Sequence, residues 1–485
     1  MPADTSIPHA GADALREPRF CAPYAAPDEE VAATLLDGAT RPAAAERRID
    51  AYAGLLVAGI RARTGGLGGI EDFLHAYSLS TPEGLALMVL AEALLRVPDA
   101  TTADRLIEDK LASGEWFAHE PKSEALLVSA SAWTLGITAR IIHPGETPES
   151  ILQSLLKRLG LPAVRAAARQ AMRLLGSHFV LGQSIEEALA RAATHRELRY
   201  SFDMLGEGAR TAADADHYFA AYRHAIDAIA AAARPSALAE RPGISVKLSA
   251  LHPRFEAVSH QRVVAELLPR LIELARAARV RDLNLTVDAE EADRLELTLD
   301  LIAGVLAESF LNDWEGFGLA VQAYQKRALA VIDWLAEAAA ARGRRVTVRL
   351  VKGAYWDTEI KRAQERGLPD YPVFTRKAMT DLCYAVCARR LLALRGHIYP
   401  QFATHNALTV ASVIEDAGGV EGYEFQRLHG MGEVLYELVN ADHPAAAVRV
   451  YAPVGGHRDL LAYLVRRLLE NGANSSFVSV AALVV

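Results

Sequence analysis

The chain has 485 residues, of which 51% are hydrophobic, 23% charged and 7% aromatic, the composition of an ordinary globular protein with length for roughly three domains. Collagenous, disordered and disulfide-scaffold classes are excluded. Its 52 basic and 60 acidic side chains leave a formal charge of −8, which gives no overall attraction to nucleic acid phosphates or anionic lipid.

Three cysteines, Cys21, Cys383 and Cys387, cannot build a disulfide framework, and their odd number suits a reducing compartment. Met1-Pro2-Ala3-Asp4 opens no secretory signal, and no uncharged apolar run nears the roughly 18 residues of a membrane span. A cytoplasmic location is expected.

In chain order, residues 1–30 scatter Pro8, Pro18, Pro23 and Pro27 among Ala, Gly and isolated charges without period, an extended and poorly ordered arm. Residues 31–196 read as a helical domain and linker. Apolar residues recur at three and four spacings over Ile49 to Ile60, Gly84 to Leu95, Leu126 to Ile141, Ile151 to Leu159 and Val164 to Leu175. Gly65-Gly66-Leu67-Gly68-Gly69 lacks the spacing and the preceding strand of a dinucleotide fingerprint and reads as a flexible turn.

After Arg196 the pattern changes to short apolar or alternating runs, each followed by a helical stretch. The strand candidates are Arg199 to Leu205, Ile244 to Leu251, Asn284 to Asp288, Gly318 to Ala323, Val346 to Val351, Tyr399 to Thr404, Tyr423 to Leu428 and Val448 to Tyr451. Helical patterns are clearest at Val263 to Ala275, Leu329 to Ala340 and Leu460 to Leu469. Eight such units in about 280 residues predict an α/β fold, a distorted (β/α)8 TIM-type barrel over residues 197–478, preceded by an all-helical arm and α-domain. A doubly wound sheet is the rival.

Barrel active sites are built at the C-terminal ends of the strands. Those ends carry Asp203, Glu207, Lys247, Asp288, Gln322, Arg349, Lys352, Thr404, His405, His429 and Tyr451. Each alone reads as a buried salt bridge or a strand cap; together they mark a site. Arg349-Leu-Val-Lys352-Gly353-Ala354-Tyr355-Trp356 joins two cations, a glycine and two aromatics, which suits a phosphorylated aromatic cofactor and, alternatively, a basic strand edge. Thr375-Arg376-Lys377 opens a helix where amides and cations can meet a pyrophosphate or simply water. On that helix Cys383 and Cys387 read as buried small hydrophobes, and no metal site is expected. Arg466 and Arg467, with Glu470 one turn later, can grip a carboxylate bidentately or pair at the surface. No Walker A run, His-Glu-x-x-His pair or Gly-x-Ser-x-Gly elbow occurs.

These runs, with Ser245-Val-Lys247-Leu-Ser-Ala-Leu-His-Pro-Arg254, Asp288 to Glu296, Gln322-Ala-Tyr-Gln-Lys326, Ala403-Thr-His-Asn406 and Tyr463 to Asn474, resemble the proline dehydrogenase half of the bifunctional proline utilization A flavoenzymes. The resemblance implies FAD-dependent oxidation of L-proline to Δ1-pyrroline-5-carboxylate, with electrons passed to a membrane quinone. It implies that Arg466, Arg467 and Lys247 hold the proline carboxylate and that Glu470 orients the arginines. Tyr451 and Tyr355 would pack on the ring, Asp288 would organise Lys247, and Glu207 would act in a gate. Gln322, Arg349, Lys352, Gly353, Ala354, Trp356, Thr375, Lys377, Thr404 and His405 match flavin-contacting positions, with Arg349, Asp288 and Lys247 nearest the chemistry.

Two departures from the family pattern shape further expectations. The chain ends at Ala481-Ala-Leu-Val-Val485 without an aldehyde dehydrogenase half, so residues 479–485 read as a truncation point of a longer protein. The first residues show no basic cluster or ribbon pattern, so no nucleic acid partner is expected. Contact with the inner membrane face would be peripheral. A folate-reductase-type flavin barrel and a non-catalytic amino-acid-binding module are the competing readings; neither needs both the paired arginines and the cofactor cradle.

Overall fold

The computed structural model describes residues 20–64 and 180–456. The arm before residue 20, the helical patterns between residues 84 and 175, the Gly65–Gly69 turn and the run from Leu460, with Arg466, Arg467 and Glu470, lie outside the described residues. By spatial contact the described residues fall into two units: 20–56, 192–427 and 435–452 in the first, and 57–64, 180–191, 428–434 and 453–456 in the second. In the second, Leu181 N–H donates to the Pro453 carbonyl at 2.9 Å, and the helix Ile185–Ala192 buries Ile185 and Ala188.

Eight strands, all in the first unit but for the last residues of β7 and β8, build its core: β1 (Arg199–Met204), β2 (Gly243–Val246), β3 (Asn284–Val287), β4 (Phe317–Gln322), β5 (Val346–Val351), β6 (Ile398–Ala403), β7 (Glu424–Leu428) and β8 (Val448–Val454). They close in sequence order into a barrel, which eliminates the doubly wound sheet. Side chains alternate across each strand. One set, including Phe202, Ile244, Val246, Leu285, Val287, Leu319, Val348, Leu350, Phe402, Phe425 and Val450, is buried and apolar, as a strand face covered by helices must be. The other set is polar: Ser201 and Asp203, Ser245 and Lys247, Thr347 and Arg349, Glu424 and Gln426. Barrel interiors are usually filled by branched apolar residues; a polar interior requires a hydrogen-bond partner for nearly every group.

One strand is shorter than the apolar pattern predicts. Ile244 to Leu251 does not continue as a single strand: β2 stops at Val246, Lys247 turns the chain, and Leu248–Leu251 forms one helical turn. A short apolar run does not distinguish the two states by periodicity. Elsewhere local chemistry sets boundaries. Thr211 and Asp214 form a reciprocal capping box before the helix Ala212–Ala232. The Asn406 side chain accepts from Thr409 N–H at 2.9 Å and starts the helix Ala407–Ala417 directly after His405.

Residues 20–27, expected as a loose arm, lie against the barrel. Phe20 meets Trp334 edge-on, and the Arg327 guanidinium sits 4.9 Å from the centre of the Tyr24 ring. Lys326, just past β4, has a side chain only 1% exposed and pairs with Asp28 at 2.7 Å and Asp370 at 3.0 Å, while donating to the Ala26 carbonyl at 2.8 Å. The strap then forms α1 (Asp28–Ala39), followed by α2 (Ala43–Thr64). Between them Arg41 grips Asp416 bidentately, at 2.9 and 2.6 Å.

Candidate active site

The polar residues of the barrel interior form one connected cluster. Lys247, where β2 ends, points its ammonium at Asp203 Oδ1 (2.6 Å), Asp288 Oδ2 (3.2 Å) and the Tyr451 hydroxyl (3.3 Å). Asp288, one residue past β3, accepts from the Tyr451 hydroxyl at 2.7 Å and, through Oδ1, from Arg349 Nη1 at 2.6 Å. Arg349 donates Nε to Gln426 Oε1 (2.7 Å) and Nη2 to Ser245 Oγ (3.0 Å) and Ser201 Oγ (3.2 Å). Its guanidinium lies 5.1 Å from the centre of the Tyr451 ring. Six strands, β1, β2, β3, β5, β7 and β8, thus hold one charged knot.

Among the described residues two cations face Asp203 and Asp288, and this pairing offsets the desolvation penalty of the buried charges. Burial pushes the Lys247 pKa down, but Asp203, Tyr451 and Asp288 outweigh it and hold the ammonium well above its ordinary value. Burial pushes the Asp288 carboxyl up, and Lys247 and Arg349 reverse that, leaving it below the usual carboxylate range. Lys247 is therefore a fixed cation near neutral pH. It suits holding an anion and cannot act there as a base. Among the described residues buried Asp203 Oδ2 has no hydrogen-bond partner, so within them the knot keeps one unsatisfied acceptor.

A second group of residues lies on the loops after β4, β5 and β6. Gln322, at the end of β4, donates to the Glu290 carbonyl at 2.8 Å and accepts from Ala354 N–H at 3.2 Å. Gly353 has φ +145°, and a Cβ there would collide with the buried Tyr324 ring, so the position is restricted to glycine. Lys352 and Lys377 share one carboxylate, Asp381, at 2.5 and 2.7 Å. Trp356 is 41% exposed, with its indole N–H anchored on the Phe374 carbonyl at 2.9 Å. Tyr355 immediately precedes the helix Trp356–Glu365, and Thr375 is exposed two residues before the helix Lys377–Ala393. Thr404 is buried behind β6, its carbonyl accepting from the Tyr436 hydroxyl at 2.8 Å, and His405 follows it, half-buried. Two ammonium groups against one carboxylate leave net positive charge beside a close-approach glycine and an exposed indole. That donor set fits a phosphorylated, aromatic cofactor.

Lys247, Asp288, Arg349 and Tyr451 are therefore brought together, and Gln322, Gly353 and Ala354 meet beside Tyr324. Glu207 is half-buried in the loop after β1. Cys383 and Cys387 are buried, with sulfurs 3.8 Å apart on one helix, and no grouping of three metal-ligating side chains occurs among the described residues. Three participants went unassigned in the sequence: Ser201, Ser245 and Gln426, all inside the barrel. Their signal was present as polar residues two apart on one strand, the period that puts both on one face.

Residues 187–480 match a family profile described as Proline dehydrogenase, and residues 69–179 one described as DNA-binding domain of Proline dehydrogenase. The Bifunctional protein PutA of Escherichia coli (strain K12) is 48% identical over 472 residues, 94% of this chain and 36% of that protein. Its counterpart in Rhizobium meliloti is 47% identical over 469 residues, 94% of this chain and 37% of that protein. The chain thus spans about a third of the length of these curated relatives. A mutant of Bradyrhizobium japonicum proline utilization A (PutA), a solved structure, shares 63% identity with a TM-score of 0.75, covering 96% of this chain and 47% of its own. The match over residues 69–179 counts against the expectation that nucleic acid is no partner, which rested on overall charge and on the first residues alone.

Proposed function

We propose, from the premise that the chain belongs to the proline dehydrogenase family, that its barrel oxidises L-proline to Δ1-pyrroline-5-carboxylate. FAD would be the cofactor and a membrane quinone the final electron acceptor, reached by peripheral contact from the cytoplasm. The observation that carries this reading is the Lys247–Asp288–Arg349–Tyr451 knot, set at the strand ends next to the loop cradle. Bound there, the flavin supplies a two-electron acceptor. Gln322, Arg349, Lys352, Gly353, Ala354, Trp356, Thr375, Lys377, Thr404 and His405 would hold it.

The protein's own contribution is positioning and charge. Lys247, with Arg466 and Arg467, would bind the substrate carboxylate; Glu470 would orient the arginines. Tyr451 and Tyr355 would pack against the ring, and Glu207 would act in the gate. Taking Lys247 partly onto a substrate carboxylate leaves Asp288 still held by Arg349 and Tyr451, so the knot tolerates the exchange. Hydride loss from the carbon beside nitrogen needs the nitrogen lone pair, so the proline amine must react neutral; Lys247, held protonated, cannot take its proton, and the positive charge that develops on the amine is compatible with nearby Asp203 and Asp288. Fixing the carboxylate fixes the ring carbon that loses its hydride.

The test is an anaerobic visible spectrum of the purified protein before and after L-proline. Yellow protein that bleaches supports both cofactor and substrate. Yellow protein that stays oxidised removes proline, and colourless protein that FAD cannot reconstitute removes the flavin. The match over residues 69–179 favours DNA as a further partner, tested by gel retardation of duplex DNA across a salt series.

A further inference from the structure

Glu424 is completely buried in β7 and is surrounded by donors alone. Its Oε1 accepts from Arg449 Nε (2.5 Å), Gln401 Nε2 (2.9 Å) and Gln426 Nε2 (3.1 Å), and its Oε2 accepts from Arg449 Nη2 (3.0 Å) and Arg199 Nη1 (3.2 Å). A carboxylate so placed takes only donors. Gln426, two residues along the same strand and 1% exposed, must therefore turn its NH2 group toward Glu424. Its carbonyl oxygen is left facing the other way, 2.7 Å from Arg349 Nε.

That contact keys the guanidinium. Of the five N–H donors of an arginine, Nε is taken by Gln426, one Nη1 hydrogen by Asp288, and Nη2 by the two serines. A planar fork held on three sides has one orientation. The keying acceptor is also neutral, so it fixes Arg349 without cancelling its charge. An acid at the same place would form a second ion pair.

We propose that Gln426, oriented by Glu424, is a positioning residue that sets the direction and preserves the positive charge of Arg349 for the redox reaction. This rests on the reading above that Arg349 lies against the flavin. Three variants test it in the FAD-loaded protein: Arg349→Met, Gln426→Glu and Gln426→Met. The readouts are the reduction equilibrium of the bound flavin, followed by spectroelectrochemical titration, and the separation of kcat from KM for proline.

Gln426→Glu is expected to disfavour flavin reduction by about tenfold or more, because an anion then faces Arg349 across a low-dielectric interior. Gln426→Met, which removes the acceptor without adding charge, is expected to lower kcat roughly tenfold with KM nearly unchanged, the pattern of an interaction used in the transition state. It carries the test where the acidic variant does not fold. If Arg349→Met moves the equilibrium while neither Gln426 variant alters equilibrium or kcat, the proposal is overturned and the placement of Arg349 stands. If Arg349→Met itself leaves the equilibrium unmoved, that placement fails and the proposal falls with it.

Discussion

Arg349 Nη1 meets Asp288 Oδ1 at 2.6 Å, an ion pair formed between β5 and the end of β3 inside the barrel. Asp288→Asn keeps the shape but leaves Lys247 and Arg349 facing Asp203 alone, and removing one partner from a buried set costs about 3–5 kcal/mol. The folded carboxyl lies below its ordinary value. Its stabilising contribution is therefore present above the unfolded pKa, about 3.9, and is lost as pH falls through the lower folded value. The variant should melt earlier at pH 7 and show a shallower acid limb in Tm against pH. Superimposable acid limbs would remove Asp288 from the linkage.

The strap makes a second claim, that residues far apart in sequence hold the β4 loop. Lys326→Met leaves Asp28, Asp370 and the Ala26 carbonyl without their shared cation. A loss of about 2–4 kcal/mol is expected, somewhat below the about 3–5 kcal/mol for breaking a fully buried pair, because Asp28 and Asp370 are partly exposed. Limited proteolysis should then cut near residues 20–28 at lower protease concentration. Asp28→Asn, with Asp370 still paired, should change little. Equal protease sensitivity in Lys326→Met and wild type would show that the strap is held by its apolar contacts instead.

Gly353→Ala tests the cradle directly. The backbone at φ +145° disfavours any side chain, and the added methyl strikes the Tyr324 ring, which is 3% exposed and has little room to retreat. Strain of this kind costs about 1–3 kcal/mol, and relaxing it must move either Tyr324 or the Gly353–Ala354 turn that Gln322 fixes. The expected result is protein that folds yet retains less flavin, read as the ratio of visible to 280 nm absorbance. Full flavin content would separate this glycine from cofactor binding.

The barrel was legible because its outward face is apolar at period two and its strands are spaced by clear helices. The strand ends then exposed Lys247, Asp288, Gln322, Arg349 and Tyr451 as candidates. Pairings across the barrel were not legible: nothing local to Gln426 shows that it meets Arg349, because closure brings their strands together from 77 residues apart. Leu248–Leu251 misled for a local reason, since Leu-Ser-Ala-Leu suits a helical turn as well as a strand. The paired arginines rest on the family resemblance and their spacing alone. For them the prediction is kinetic: Arg467→Met should raise KM for proline far more than it lowers flavin content, and an unchanged KM would cancel that role.

Glu359, on the helix that begins at Trp356, offers a prediction the sequence did not suggest. It is 2% exposed, and its Oε1 accepts from Ala292 N–H at 2.6 Å. Burial, followed by the nearby Asp293 and Glu291, raises its pKa to about 7 against the opposing pull of the Ala292 hydrogen bond and Arg362. Between the unfolded value near 4.3 and about 7, the folded state binds more protons than the unfolded one, so this group lowers stability as pH rises, and the penalty is complete above about 7. Glutamine keeps the oxygen that Ala292 needs and carries no proton to lose. Glu359→Gln should therefore match wild type near pH 4.5 and exceed it at pH 8, by up to about 3 kcal/mol at 1.36 kcal/mol per pKa unit. Tm measured from pH 4.5 to 8 decides the matter: curves that stay parallel would mean that Glu359 is ionised throughout, and that Arg362 rather than a proton neutralises it.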